Sequence, residues 1–191
     1  MKIKLNKIKF NSPIILTFTL LSFIVLIISQ LTDGEFVIKY FSNYKSSLTS
    51  PLTYFRTVSH VLGHANFQHW FYNISLLLVI GSMLEEKYGS FIIAEAILIT
   101  ALVTGIFNML FSSTALLGAS GVVFMMIVLS SISGIKDDGE VPLSFILVLI
   151  MYIGREVYNG IVNEDNISQL THIIGGLSGA VLGFVYNIKN N

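Results

Sequence analysis

The sequence predicts an all-α polytopic membrane protein, a bundle of six transmembrane helices with one long first outer loop. Of the 191 residues, 53% are hydrophobic and only 12% are charged, whereas a soluble domain carries about 25% charged residues. The mean hydropathy is +0.76. Residues 14–31 contain no charge, and an apolar run of that length is typical of a membrane span. With no Cys and no net charge, the chain lacks the features of a disulfide scaffold or of a basic nucleic-acid binder.

Six segments are long and apolar enough to cross a bilayer core of about 30 Å, and we interpret residues 1–191 as one domain. The approximate spans are 14–31, 68–85, 91–110, 118–134, 142–159 and 168–188. The outer loop 32–67 is longer than ordinary connections, and its apolar residues predict that it is partly embedded in the membrane face. The first span is too long for a signal-peptide core, and no small-residue cleavage site follows it.

The distribution of basic residues predicts the orientation of these spans. Seven basic residues fall on the side that holds both termini: Lys2, Lys4, Lys7, Lys9, Lys87, Lys136 and Lys189. The opposite short loops, 111–117 and 160–167, contain none. We therefore expect both termini in the cytoplasm and the loop 32–67 outside, which in a bacterium is the extracytoplasmic side.

Four polar residues from three spans fall at one depth below the outer face. His69 and Asn73 lie early in the second span and share a helix face because they are four residues apart. Ser120 opens the fourth span, and His172 lies about one turn into the sixth. Ionisable and polar groups at membrane depth are costly, so their agreement in depth favours a functional site.

A Ser and a His at one depth suggest a nucleophile and its general base. His69, Asn73 and the backbone N–H of Ser120 are candidate donors to an oxyanion. Gly118 and Gly121 would let the backbone approach a substrate closely. No acidic residue lies at this depth, since Glu95 begins the third span on the cytoplasmic side. A Ser–His dyad therefore fits better than a triad.

The glycines of the last span predict close packing of helices. Gly176 and Gly179, with Gly183 one turn further on, form a small-residue face, and such faces let membrane helices approach closely.

Three motifs carry a resemblance to a known family. They are Phe55-Arg56 followed by His64-x4-His69-x3-Asn73, then Gly118-Ala119-Ser120-Gly121, and His172 followed by Gly175-Gly176. In order and spacing they resemble the rhomboid intramembrane serine proteases, in the six-helix bacterial form, over nearly the whole chain. The resemblance implies that Ser120 is the nucleophile and His172 the general base. It further implies that His69, Asn73 and the Ser120 amide form the oxyanion hole.

The resemblance also implies supporting roles. Arg56 falls in a structural element of the outer loop, and His60 and His64 fall at positions that line a water-filled cavity or the loop. Glu85, near Gly89, matches a scaffold residue at the cytoplasmic end of the second helix. Where bacterial members often have a Tyr four residues after the serine, this chain has Phe124, which keeps the ring against the catalytic His and loses its hydroxyl.

The predicted function is a serine endopeptidase of the bacterial cell membrane that cleaves substrate helices near their outer ends. We expect single-pass or polytopic membrane proteins as substrates, no cofactor, no metal and no nucleic acid. An inactive relative that binds membrane helices without cleaving them is the alternative. A metal site built from His60, His64 and His69 lacks the H-E-x-x-H signature and a neighbouring carboxylate, and a transporter would show inverted repeats, which we do not find.

Overall fold

The computed structural model describes residues 10–132 and 166–189, together with seven residues between them, which are 140, 143, 146, 147, 150, 151 and 154. Eight α-helices are defined within 10–132 and 166–189: α1 (Pro13–Leu31), α2 (Glu35–Tyr40), α3 (Pro51–Ser59), α4 (Phe67–Leu76), α5 (Ser82–Tyr88), α6 (Ser90–Phe111), α7 (Ser120–Ile132) and α8 (Asn166–Lys189). A 3₁₀ turn (His60–Leu62) follows α3, and a π-helical turn (Leu77–Gly81) joins α4 to α5. The described part contains no β-strand, only an isolated bridge between Asn43 and Leu116.

Two helices of the described part, α1 and α6, are long and apolar enough to cross a membrane, while α7 and the apolar part of α8 (Thr171–Tyr186) are shorter. The predicted second span, 68–85, corresponds to α4, the π turn and α5 together. The predicted fifth span, 142–159, lies largely outside the described residues. Large apolar side chains are exposed along α1 and α6, among them Phe23 and Leu110, as expected for surfaces that face lipid.

Local chemistry accounts for the ends of these helices. Pro13 occupies the first turn of α1, where its missing N–H costs nothing and its fixed φ suits the helix. Asp33 and Gly34 follow α1 with φ of 48° and 86°, so the chain turns back there. Gly89, with φ of 86°, separates α5 from α6.

The outer loop is folded rather than extended. It contains α2, α3 and the 3₁₀ turn, and α3 packs on α6 where Gly105 allows the backbone of Thr57 to approach. The Arg56 side chain is buried under this loop. Its guanidinium donates to the Tyr44 hydroxyl, to Ser46 Oγ at 3.3 Å and, through Nε, to the carbonyl of Leu52 at 3.2 Å. Arg56 therefore stabilises the loop internally.

Helix α7 lies at the centre of the hydrophobic core and is buried on nearly all sides, with Val122, Met125, Met126 and Leu129 at most 1% exposed. Helix α8 packs on α7 through a glycine face. A Cβ on Gly175 or Gly179 would overlap the backbone of α7, and one on Gly183 would press on Ile132 at about 3.0 Å. The packing face is thus 175, 179 and 183, one residue per turn. Gly176, which the sequence analysis placed on the face, has more room because its Cβ would meet only Val128, at 3.6 Å.

Candidate active site

The turn that precedes α7 is held by the outer loop. Gly118 donates its N–H to the carbonyl of His60 at 3.0 Å, and Ala119 donates its N–H to His64 Nε2 at 3.4 Å. Ser120 then begins the helix with a half-buried side chain. In the described part of the chain, no acceptor takes the N–H of Ser120. That N–H is therefore available to a ligand at the positive end of α7.

His69 and Asn73 project from α4 onto this turn. The side chain of Asn66 caps α4 by accepting the N–H of His69 at 2.8 Å, which fixes the start of the helix. A Cβ on Gly118 would lie 2.8 Å from His69 Cε1 and Nε2 and 3.9 Å from Asn73 Nδ2. Gly118 also has φ of 123°, a conformation that other residues rarely adopt. Only glycine therefore fits beneath the His69 ring.

The amide of Asn73 has a hydrogen to spare. Its Nδ2 donates one N–H to the carbonyl of His69, at 3.1 Å, and an amide nitrogen carries two hydrogens. His69 and Asn73 therefore both present ring or amide nitrogens at the turn that carries Ser120.

His172 lies against the face of α7 that begins at Ser120. Its ring stacks on Phe124, with centroids 4.6 Å apart and planes 5° from parallel. Ser120 and Phe124 are four residues apart and so share a helix face. One turn along α8, Gly175 meets the backbone of Gly121, so the two helices are in close contact beside the serine. His69 and Asn73 therefore lie at the turn that precedes Ser120, and His172 lies against the side chain one helical turn after it.

His60 and His64 are fully enclosed. His60 Nδ1 lies 3.1 Å from the carbonyl of Thr57 and its Nε2 lies 3.3 Å from Thr104 Oγ1. His64 Nδ1 lies 3.2 Å from the carbonyl of Leu62. Burial lowers the pKa of His60 to about 4 and, with the neighbouring His69 ring adding to the effect, that of His64 to about 3. Because protein groups engage both rings and neither is exposed, the contacts favour a structural role for these two residues.

Sequence reasoning missed a second tether of the same turn. Asn43 and Leu116 exchange two backbone hydrogen bonds of 2.8 Å. The Asn108 side chain donates to the backbone carbonyl of Asn43 at 3.0 Å and to that of Thr114 at 3.3 Å. The available signal was Asn108 itself, because an amide near the end of an apolar span needs a partner.

Glu85 lies at the opposite end of the molecule from this turn. It is buried, and its carboxylate accepts the N–H groups of Ile14 and Ile15, each at 3.0 Å, and the hydroxyl of Ser90 at 2.7 Å. The carboxylate thus caps the start of α1 and ties it to α6.

Comparison with known proteins identifies the family. The family model described as Rhomboid domain matches residues 51–189. The chain belongs to the rhomboid family. It is therefore a multi-pass membrane protein of a family that acts on membrane-protein substrates within the bilayer.

Two curated relatives are similar to this rhomboid. The Rhomboid protease GlpG of Haemophilus influenzae is 25% identical over 164 residues, which cover 85% of each chain. Rhomboid-related protein 1 of Caenorhabditis elegans is 26% identical over 144 residues, which cover 70% of this chain and 40% of the relative. The match to GlpG includes most of the outer loop and the bundle.

A large apolar groove of this rhomboid lies away from the candidate site. Its volume is about 540 Å³, and it is lined by α1, α6 and the segment from α3 through the 3₁₀ turn, including Phe18, Phe55 and Ile97. Ser120, His69, Asn73 and His172 are not among the residues that line it. In the described ranges, no group of three or more His, Asp or Glu side chains is arranged to hold a metal ion.

Proposed function

We propose that this rhomboid is an intramembrane serine endopeptidase that hydrolyses peptide bonds near the outer ends of substrate transmembrane helices. Ser120 is the nucleophile and His172 the general base. His69, Asn73 and the Ser120 N–H form the oxyanion hole. The arrangement that carries the proposal is the stacking of His172 on Phe124, one helical turn from Ser120, together with the position of His69 and Asn73 at Gly118, two residues before Ser120.

The proposed chemistry is acyl transfer in two steps. His172 accepts the Ser120 hydroxyl proton while Oγ bonds to the substrate carbonyl carbon, and it returns that proton to the leaving amine. Water then attacks the acyl-enzyme while His172 takes a proton from it, and His172 returns that proton to Oγ as the ester bond breaks, which releases the carboxylic acid product and restores Ser120. In both steps the carbonyl oxygen becomes negative, and donors already aimed at that position lower the barrier.

The six predicted spans also suggest the location and orientation of the protein in the membrane. We place six transmembrane segments, including 142–159, in the cytoplasmic membrane of a bacterium as one domain, with both termini in the cytoplasm. The loop 32–67 then lies outside and partly in the membrane face. The lack of basic residues in the loops 111–117 and 160–167 supports this orientation. A site near the outer face gains access to water, which the bilayer core lacks.

The substrate must present an accessible peptide bond. An intact helix engages its carbonyls in internal hydrogen bonds, so cleavage requires a locally opened helix. We therefore propose that preferred substrates carry helix-breaking residues near the outer end of their span, and a small residue before the cut.

The experiment that tests this function is cleavage of a model transmembrane substrate in liposomes. Ser120→Ala, His172→Ala and the double variant are compared with wild type, and Ser131→Ala serves as a matched control. The Ser131 hydroxyl donates to the carbonyl of Ile127 within α7, at 2.9 Å, about three turns along the helix from Ser120. Each dyad variant should lose on the order of 10⁴-fold in kcat, with the double variant little worse, while the control keeps wild-type activity.

Two outcomes would contradict the proposal. Cleavage that survives Ser120→Ala would exclude the serine mechanism. If wild type cleaves nothing and Ser120 also resists a serine-directed fluorophosphonate, the protein is an inactive relative that binds membrane helices without cutting them.

A further inference from the structure

The peptide group between Gly118 and Ala119 is held by a histidine side chain. Its N–H donates to His64 Nε2, at 3.4 Å, while the preceding N–H, that of Gly118, donates to a backbone carbonyl at 3.0 Å. The next N–H along the chain is that of Ser120, for which the described residues supply no acceptor. Two consecutive donors are thus engaged by the outer loop immediately before the donor that the proposed mechanism uses.

The contacts of His64 define which ring nitrogen carries the hydrogen. Nδ1 lies 3.2 Å from the carbonyl of Leu62, and a carbonyl oxygen only accepts, so Nδ1 is the donor. A neutral imidazole has one N–H, which leaves Nε2 as the acceptor for Ala119. The low pKa of His64, about 3, is consistent with a ring that stays neutral.

The same ring also abuts His69. The two imidazoles meet edge to face, with centroids 5.1 Å apart. His69 in turn overlies Gly118, at the 2.8 Å separation that excludes a Cβ there. His64 therefore contacts both the turn before Ser120 and a side chain of the proposed oxyanion hole, while its own ring is 0% exposed.

Because residue 118 is a glycine, the neighbouring peptide group could rotate, and the hydrogen bond to His64 restricts that rotation. In a trans peptide the N–H and C=O point in opposite directions, and a glycine tolerates rotation of the neighbouring peptide. We propose that His64 is a positioning residue that locks the Gly118–Ala119 peptide, so that the Ser120 N–H and His69 converge on one oxyanion position. This inference rests on the proposed function.

Two variants separate hydrogen bonding from packing. His64→Gln keeps an acceptor, because the amide oxygen of Gln can occupy the position of Nε2, whereas His64→Met fills similar space without one. With a transmembrane substrate, His64→Met should lower kcat by about 100-fold and change KM by no more than about threefold. His64→Gln should recover at least about tenfold of the lost kcat.

A second measurement does not depend on activity. Amide hydrogen exchange of Ala119, followed by NMR in ¹⁵N-alanine-labelled protein, should be faster in His64→Met than in wild type or His64→Gln. The N–H of Gly118, bonded to the backbone carbonyl of His60, should exchange at the same rate in all three and is the internal control when glycine is labelled.

The inference is overturned if His64→Met keeps wild-type kcat, if both variants lose activity equally, or if Ala119 exchange does not respond to the loss of the acceptor. The failure of the proposed function looks different. In that case wild type neither cleaves nor is labelled at Ser120, while the Ala119 exchange rates still separate the two variants.

Discussion

Removing the Glu85 carboxylate should destabilise the protein without altering the proposed catalytic turn. The carboxylate accepts three hydrogen bonds, two of them from the first-turn N–H groups of Ile14 and Ile15. In Glu85→Ala both N–H groups lose their acceptor, and Ile15 is 0% exposed, so water cannot replace it. At about 1–3 kcal/mol for each stranded donor, the free energy of unfolding should fall by about 2–6 kcal/mol.

Glu85→Gln provides a graded test of the same reasoning. The amide keeps one oxygen for one backbone N–H and turns an NH₂ group toward the other, so roughly half of the loss is expected, about 1–3 kcal/mol. Glu86→Ala is the matched control, since the neighbouring Glu86 is exposed and its removal should change stability by less than about 0.5 kcal/mol.

The assay is equilibrium unfolding of purified protein in detergent micelles, paired with substrate cleavage well below the unfolding transition. Glu85 lies twelve residues beyond Asn73 along the second span, about 18 Å at helical rise. The folded fraction of each variant should therefore keep wild-type kcat. An unfolding free energy for Glu85→Ala within about 0.5 kcal/mol of wild type would refute the argument that Glu85 caps α1. A lower kcat in fully folded variant protein would refute the claim that Glu85 does not affect the candidate site.

Three further outcomes follow from the packing. Gly118→Ala should reduce kcat by about 100-fold, because its Cβ would displace the overlying imidazole, whereas Gly34→Ala, which shares a positive φ but has open space around it, should be active. Gly179→Val should lower the unfolding free energy by about 1–3 kcal/mol, measured by unfolding in micelles, because the side chain would press on the backbone of α7. Stability should also fall as pH drops below about 6.5, the pKa of histidine in the unfolded chain. Burial lowers the pKa in the folded protein to about 4 at His60 and about 3 at His64. Between these values the unfolded chain therefore binds protons that the folded protein does not bind. Each group contributes about 1.4 kcal/mol per pH unit within its window, so the His60→Gln, His64→Gln double variant should show a flatter profile of unfolding free energy against pH.

Sequence patterns predicted the ends of two long helices but not the π-helical turn within the second predicted span. The uncharged run 14–31 corresponds to α1 within one residue at its start, and the predicted span 91–110 to α6 within one residue at each end, because length and apolarity set both limits. The π turn at Leu77–Gly81 was not predicted. Nothing in a continuous apolar segment distinguishes it, and it occurs where Gly81 packs against Ile15 and Met126.

For the candidate site too, the sequence predicted some features and not others. Depth alone grouped Ser120, His172, His69 and Asn73, because the order of the spans determines which helix ends share a face of the membrane. The amide of Asn108 signals that it needs a partner, but which residues Asn43 and Asn108 contact was not predictable from their positions. Their hydrogen bonds join residues 65 apart, and such pairings depend on how the outer loop folds back over α6.

The tethers of the turn before α7 have a consequence for the order of folding. His64 and Ala119 are 55 residues apart, and Asn43 is further still from Leu116. Closing loops of that size costs conformational entropy before any contact compensates for it, so this turn cannot assemble from local interactions. During synthesis, residues 43–64 therefore remain in or on the membrane without these partners until α6 has entered the bilayer. The stretch from Asn43 to His64 can dock on this turn only after Ala119 has been made, so slow steps in folding should concentrate at that docking.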